Sequence, residues 1–154
     1  MRIEPLLSER NCLVMRDAPT AEVVFARVAE AAAAVLGRAD AEEIRAGLEA
    51  REAEVPTTTP EGVAFPHTVI PGLERPALVV AAIDPPVRVH AMDSAATSLV
   101  MCLVGSREQP FEHVRLLARL ARVVRSPEAR ARLASAGECG TLLARLIEED
   151  RSHG

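Results

Sequence analysis

The sequence predicts an α/β fold, a single-domain sandwich in which a mixed β-sheet of about five strands is flanked by helices. Ala77–Ile83 (ALVVAAI) and Ser98–Gly105 (SLVMCLVG) are continuous apolar runs of strand length, bounded by Pro, Asp or Gly, as strands covered on both faces require. Helical patterns stand before, between and after the buried strands. The connections within 77–104 are too short for parallel crossovers, which makes the sheet mixed. A chain of 154 residues with 49% apolar residues builds one sizeable core, so 1–154 reads as one domain.

In chain order, Thr20–Leu36 places Val24, Val28, Ala32 and Val35 at helical spacing, with Glu22 in the first turn and Gly37 just past the end. A second helix opens at Asp40, a cap paired with Glu43 three residues on. It carries Ile44 and Leu48 towards the core and frays near Arg51–Glu54, before Pro56. Val55–Gly62 (VPTTTPEG) has no periodicity and reads as a loop, ordered or mobile. Val63–Phe65 is a short strand stopped by Pro66.

Val87–Asp93 (VRVHAMD) alternates and reads as an edge strand between the two apolar runs. The C-terminal third is helical: Pro110–Arg125, then a helix capped by Ser126 with Pro127 at its first position, then a last helix over TLLARLIEED.

The composition excludes several functions. Net charge is −4, and the 18 basic residues are all Arg, interspersed with 22 acidic ones, which argues against nonspecific nucleic-acid binding. Trp and Tyr are absent and Phe occurs only at 25, 65 and 111, so stacking surfaces for bases or sugars are scarce. Arginine spread over the whole chain fits a codon bias better than a single anion site.

Cys12, Cys102 and Cys139 are odd in number and form no CxxC pair, so they read as reduced thiols of a cytoplasmic protein. No apolar run approaches the ~20 residues of a membrane span, and the N-terminus is too polar for a secretory signal.

Four histidines are available. His67 follows Pro66 at a strand end and precedes a turn around Pro71-Gly72, where side chains project from a rigid edge. By itself such a residue is more often a surface histidine than a nucleophile. His113 stands in the first turn of the Pro110–Arg125 helix, on the side of Leu117 and Leu120, near unpaired N–H groups that suit an anion. The bland alternative is a ring bonded to a backbone carbonyl. His90, on the expected edge strand, and His153, in a polar tail, read as solvent-exposed.

The string GVAFPHT (Gly62–Thr68), preceded by Arg51-Glu52 and Pro56-Thr57, resembles the region around the phosphorylated histidine of EIIA type 2 domains. These are the fructose, mannitol and nitrogen-regulatory branch of the sugar phosphotransferase system. Downstream, Glu112–Leu133 is similar to that family's second conserved-histidine helix and the helix after it. Between them VRVHAMDS resembles an Ala-x-Asp element of the family, so the likeness runs from about Leu6 to Glu149.

The resemblance implies a phosphocarrier in which His67 takes a phosphoryl group from an HPr-type carrier and passes it on, with His113 and Arg51 assisting at the phosphate. A sugar permease IIB component or a regulatory target protein would follow, and neither cofactor nor metal is implied. No permease or carrier domain is attached, which favours the regulatory branch.

The chemistry is consistent. Imidazole titrates near neutrality and can attack as a neutral base, a guanidinium fork matches phosphoryl oxygens, and a second histidine can donate as charge develops. Where the family commonly has a glycine-rich stretch, this chain has Pro56-Thr57-Thr58-Thr59-Pro60-Glu61-Gly62. Pro60 lacks a donor and Glu61 adds negative charge, which motivates a second reading, a binding module that keeps the fold with weak or lost phosphorylation. A third, with His67 and His113 as ligands of a catalytic metal, lacks an HxxxH-type pair and a third ligand.

Overall fold

Both long apolar runs form the central strands. The structure, a computed structural model, describes residues 1–17, 19–37 and 40–153. After two short 3₁₀ turns come β1 (Cys12–Met15), α1 (Ala21–Leu36), α2 (Ala41–Glu54), β2 (Val63–Ala64), β3 (His67–Ile70), β4 (Ala77–Val87), β5 (Thr97–Ser106), α3 (Pro110–Val123), α4 (Pro127–Ala134) and α5 (Cys139–Ser152).

The sheet runs β1-β4-β5, with β2 and β3 following one another along the far side of β5. β4 and β5 are antiparallel, whereas β1 pairs parallel with β4 and both β2 and β3 pair parallel with β5, so the five strands form the mixed sheet expected.

The continuous apolar runs have the expected cause, because alternate residues enter two different cores. Ala77, Val79, Ala81 and Ile83 of β4 join Val100, Cys102 and Val104 of β5 beneath α1 and α2. Leu78, Val80 and Ala82 join Leu99, Met101 and Leu103 against α3, α4 and α5.

Thr20 caps α1 by accepting from Val23 N, and Ser126 caps α4 by accepting from Ala129 N. Asp40 caps α2 through Glu42 N, and that helix stays helical through Glu54 instead of fraying.

Two further expectations are corrected, and one strand was not anticipated. Only Val87 of the alternating 87–93 stretch is in a strand, as the end of β4. Asp93 bends the remainder into a turn, accepting from His90 N through Oδ2 at 3.0 Å while its own N–H donates to the His90 carbonyl at 3.1 Å. Local bonds of this kind override the period-2 pattern.

Pro66 interrupts the sheet edge without ending it. Its carbonyl accepts from Leu103 N at 3.1 Å, and the strand expected to stop at Pro66 resumes as β3 at His67, ahead of the expected turn at Pro71-Gly72. β1 was not anticipated, being only four residues without alternation.

Cys12 and Cys102 lie in the two cores, and burial pushes both thiols up to about 12, so they are chemically quiet.

Candidate functional site

His67 opens β3 and pairs with Leu103 of β5, while Gly105 pairs with Val69. Paired residues of parallel strands share a face and residues two apart share a face, so His67 and Gly105 point to the α3 side of the sheet. There the ring of His113, in the first turn of α3, lies with its centroid 5.4 Å from that of His67, tilted by 54°. The two histidines, 46 positions apart in the sequence (113 − 67), are brought together by β5 and the turn that leads into α3.

The two rings are held differently. His67 is half-buried, and its Nδ1 lies 2.8 Å from the Phe65 carbonyl oxygen. A carbonyl can only accept, so Nδ1 carries the proton and Nε2 keeps its lone pair.

His113 is buried, its Nδ1 is enclosed without a hydrogen-bond partner, and the carbonyl bond expected by the bland alternative is not made. Burial foremost, and then the proximity of His67, hold its pKa below the ordinary 6.5. His113 is therefore a neutral ring with one N–H to give.

This has a consequence for stability. Below pH 6.5 the unfolded chain takes up a proton at residue 113 that the folded chain refuses. The stability linked to this group is thus present above pH 6.5 and is lost as pH falls towards the lowered folded value. His113→Gln is expected to flatten the acid limb of stability against pH below 6.5 by a slope of up to about 1.4 kcal/mol per pH unit. Urea titrations at stepped pH measure this, and an unchanged slope would remove His113 from the acid response.

Arg51 sits at the end of α2, on the opposite face. That face is reached through Thr68, the neighbour of His67, whose Oγ1 would lie 2.5 Å from a Cβ placed on Gly47. Arg51 is one turn beyond Gly47, and its Nη1 donates to the Val55 carbonyl at 2.8 Å, closing the end of α2. The structure thus brings His67 and His113 together, while the Arg51 guanidinium is bonded to the end of its own helix.

The loop before β2 is ordered. Thr57 donates to Glu52 through both N–H (2.7 Å) and hydroxyl (2.6 Å), Thr58 Oγ1 donates to Asp93 Oδ1 at 2.8 Å, and Thr59 Oγ1 donates to the Val63 carbonyl at 2.9 Å. Threonine hydroxyls thus anchor a segment where the resemblance expects glycines. Gly62 remains because it takes φ +84°, with Ala96 O only 3.1 Å from where a Cβ would stand.

His90, expected in solvent, is half-buried, and its Nε2 lies 2.8 Å from Oε2 of the buried Glu52. Glu52 thereby joins α2, the 56–61 loop and the 88–96 turn. In the sequence Glu52 entered only within the string that carries the family resemblance, with no role of its own.

Next to His113 in the sequence, Phe111 and Val114 of α3 are 85% and 64% exposed. Exposed apolar side chains adjoining a reactive group suit a protein partner better than a small ligand. Among the described residues, no group of three or more His, Cys, Asp or Glu side chains is placed to hold a metal ion, and no helix is long and apolar enough to cross a membrane.

Known proteins share this architecture. A nitrogen regulatory protein of Pseudomonas aeruginosa is 31% identical over 136 residues, 88% of either chain. The crystal structure of nitrogen regulatory protein IIA-Ntr from Neisseria meningitidis superposes with a TM-score of 0.80 over 94% of this chain and 98% of that one, at 22% identity. Enzyme IIA mannitol of Escherichia coli, solved in complex with phosphorylated enzyme IIB mannitol, superposes with a TM-score of 0.75 at 20% identity, over 92% of this chain and 97% of that one.

At such identities the solved structures speak for the fold. The family model for the EIIA 2 component of the phosphoenolpyruvate-dependent sugar phosphotransferase system matches residues 5–149. Nearly the whole chain is covered by that match, and the protein belongs to the EIIA type 2 family.

Proposed function

We propose that this protein is a phosphocarrier or regulatory IIA component working in the cytoplasm. In this reading His67 Nε2 attacks the phosphorus of a phosphohistidine on an HPr-type carrier. A P–N bond forms to His67 as the P–N bond to the carrier breaks, and the departing imidazole leaves with the electron pair. The phosphoryl group is then passed to a IIB component or held as a signal read by a target protein.

The observation that carries this reading is the Phe65 carbonyl on His67 Nδ1, which fixes the tautomer with a free lone pair on Nε2. The neutral His113 donates to the transferring group, and the exposed Phe111 and Val114 offer the carrier an apolar landing surface. Arg51 would act as phosphate clamp after exchanging the Val55 carbonyl for phosphoryl oxygens around the β3 edge. The likeness to a nitrogen regulatory protein favours signalling over sugar delivery.

The second reading, a docking module without phosphotransfer, draws on the 56–61 loop. The N–H groups of Thr57 and Thr59 are already bonded to Glu52 and the Val63 carbonyl, so they are not free for a phosphate. One experiment separates the two. The protein is incubated with phosphoenolpyruvate, the first enzyme of the system and an HPr-type carrier, and its intact mass is recorded at alkaline pH before peptide mapping. A phosphate adduct mapping to the peptide that holds His67 is expected, and an unmodified mass would leave only the docking module.

A further inference from the structure

We infer that Gly105 is a positioning residue for phosphotransfer, acting through His113: the missing side chain at this point of β5 is what admits the His113 ring to its place opposite His67. This rests on the phosphocarrier reading for its consequence and on geometry for its substance. A Cβ built on Gly105 would lie 2.3 Å from His113 Nδ1 and 3.2 Å from both Cγ and Cε1. Real Cβ contacts essentially never fall below 3.0 Å, so with any other residue the ring has to move.

Among the described residues no polar group bonds this edge of the ring. His113 Nδ1 is buried without a hydrogen bond, so nothing polar holds it at the strand. What places it is close packing against the bare backbone of Gly105, on the sheet face from which His67 also projects.

Gly105 does not need its glycine for the backbone. Its φ lies outside the left-handed region, and it pairs in register with Val69 within a regular parallel ladder. A strand interior disfavours glycine, since residues with side chains pack better there. Close approach of another group is the usual reason for one, and here that group is the second histidine.

The chemistry follows from the orientation. With Nδ1 turned to the strand, Nε2 is the nitrogen left to serve a ligand, and it can donate its hydrogen to a phosphoryl oxygen on His67. A methyl group at 105 drives the ring outwards, lengthening that bond and opening the ring to water.

The test is a double-mutant cycle in phosphoryl uptake from a phosphorylated HPr-type carrier, comparing wild type, Gly105→Ala, His113→Ala and the double variant, with melting temperatures as the check on folding. Gly105→Ala is expected to slow uptake at least about tenfold. On the His113→Ala background, the same change is expected to slow it no further. An unchanged rate in Gly105→Ala, or an equal slowing on both backgrounds, overturns the inference.

A second arm uses the unphosphorylated protein and histidine-ring NMR. The titration midpoint of His113 is expected to rise towards 6.5 in Gly105→Ala as the ring leaves its buried seat. An unmoved midpoint also overturns the inference. If the wild type takes up no phosphate, the proposed function fails while this arm still decides the role of Gly105.

Discussion

His67→Ala is expected to take up no phosphoryl group under conditions that label the wild type completely, and His67→Gln is expected to take up none either. The glutamine can imitate the Nδ1–H bond to the Phe65 carbonyl, but an amide has no nucleophilic lone pair. The fold has little to lose by either change, because His67 is half-buried and the Phe65 bond contributes about 0.5–1.5 kcal/mol. The melting temperature should therefore fall by no more than about 6 °C, which separates lost chemistry from lost structure.

The same geometry names the atom. Phosphorus and nitrogen NMR of the labelled wild type should show the phosphoramidate on Nε2. Full labelling of His67→Ala would transfer the acceptor role elsewhere, with His113 the first candidate, and a phosphoramidate on Nδ1 would contradict the tautomer set by Phe65.

Much of this site was legible in the sequence, and what escaped has physical causes that differ from residue to residue. The long apolar runs identified the central strands because strands with two buried faces leave that signature, and β4 and β5 feed two cores. Helix caps at Thr20, Asp40 and Ser126 were readable because capping is local chemistry between neighbours.

His67 and His113 were singled out by a resemblance between two separated blocks. Their 5.4 Å approach could not be had from spacing, since it depends on the register of β3 against β5. Gly105 carried no signal at all, for its role lies in what another residue does to the space it leaves. His90 was misplaced because alternation suggested a strand, while Asp93 and the buried Glu52 hold it in a turn. The Glu52–His90 pair, 38 positions apart, is of a kind that one-dimensional patterns do not record, whereas at Asp93 a local side-chain bond outweighed the alternation.

The same blindness covers the residue whose loss should cost the fold most. Asp150 ends a Glu-Glu-Asp run that reads as solvated charge, yet it is wholly buried. Its Oδ2 accepts from Ile3 N at 3.0 Å and Glu4 N at 2.9 Å, and its Oδ1 accepts from Arg119 Nε at 2.9 Å. Arg119, itself buried on α3, also donates to the carbonyls of Asp150 and His153. One carboxylate thus joins the N-terminal segment, α5 and the helix that carries His113.

Asp150→Ala strands a buried guanidinium and two backbone donors at once. The expected loss is about 3–5 kcal/mol, or a fall in melting temperature of roughly 6–20 °C. Arg119→Met combined with Asp150→Leu should recover much of that loss, because removing both charges also removes their desolvation cost. Calorimetry on the single and double variants measures both effects. If Asp150→Ala melted within about 2 °C of the wild type, the anchor would be far weaker than its burial and bonds require.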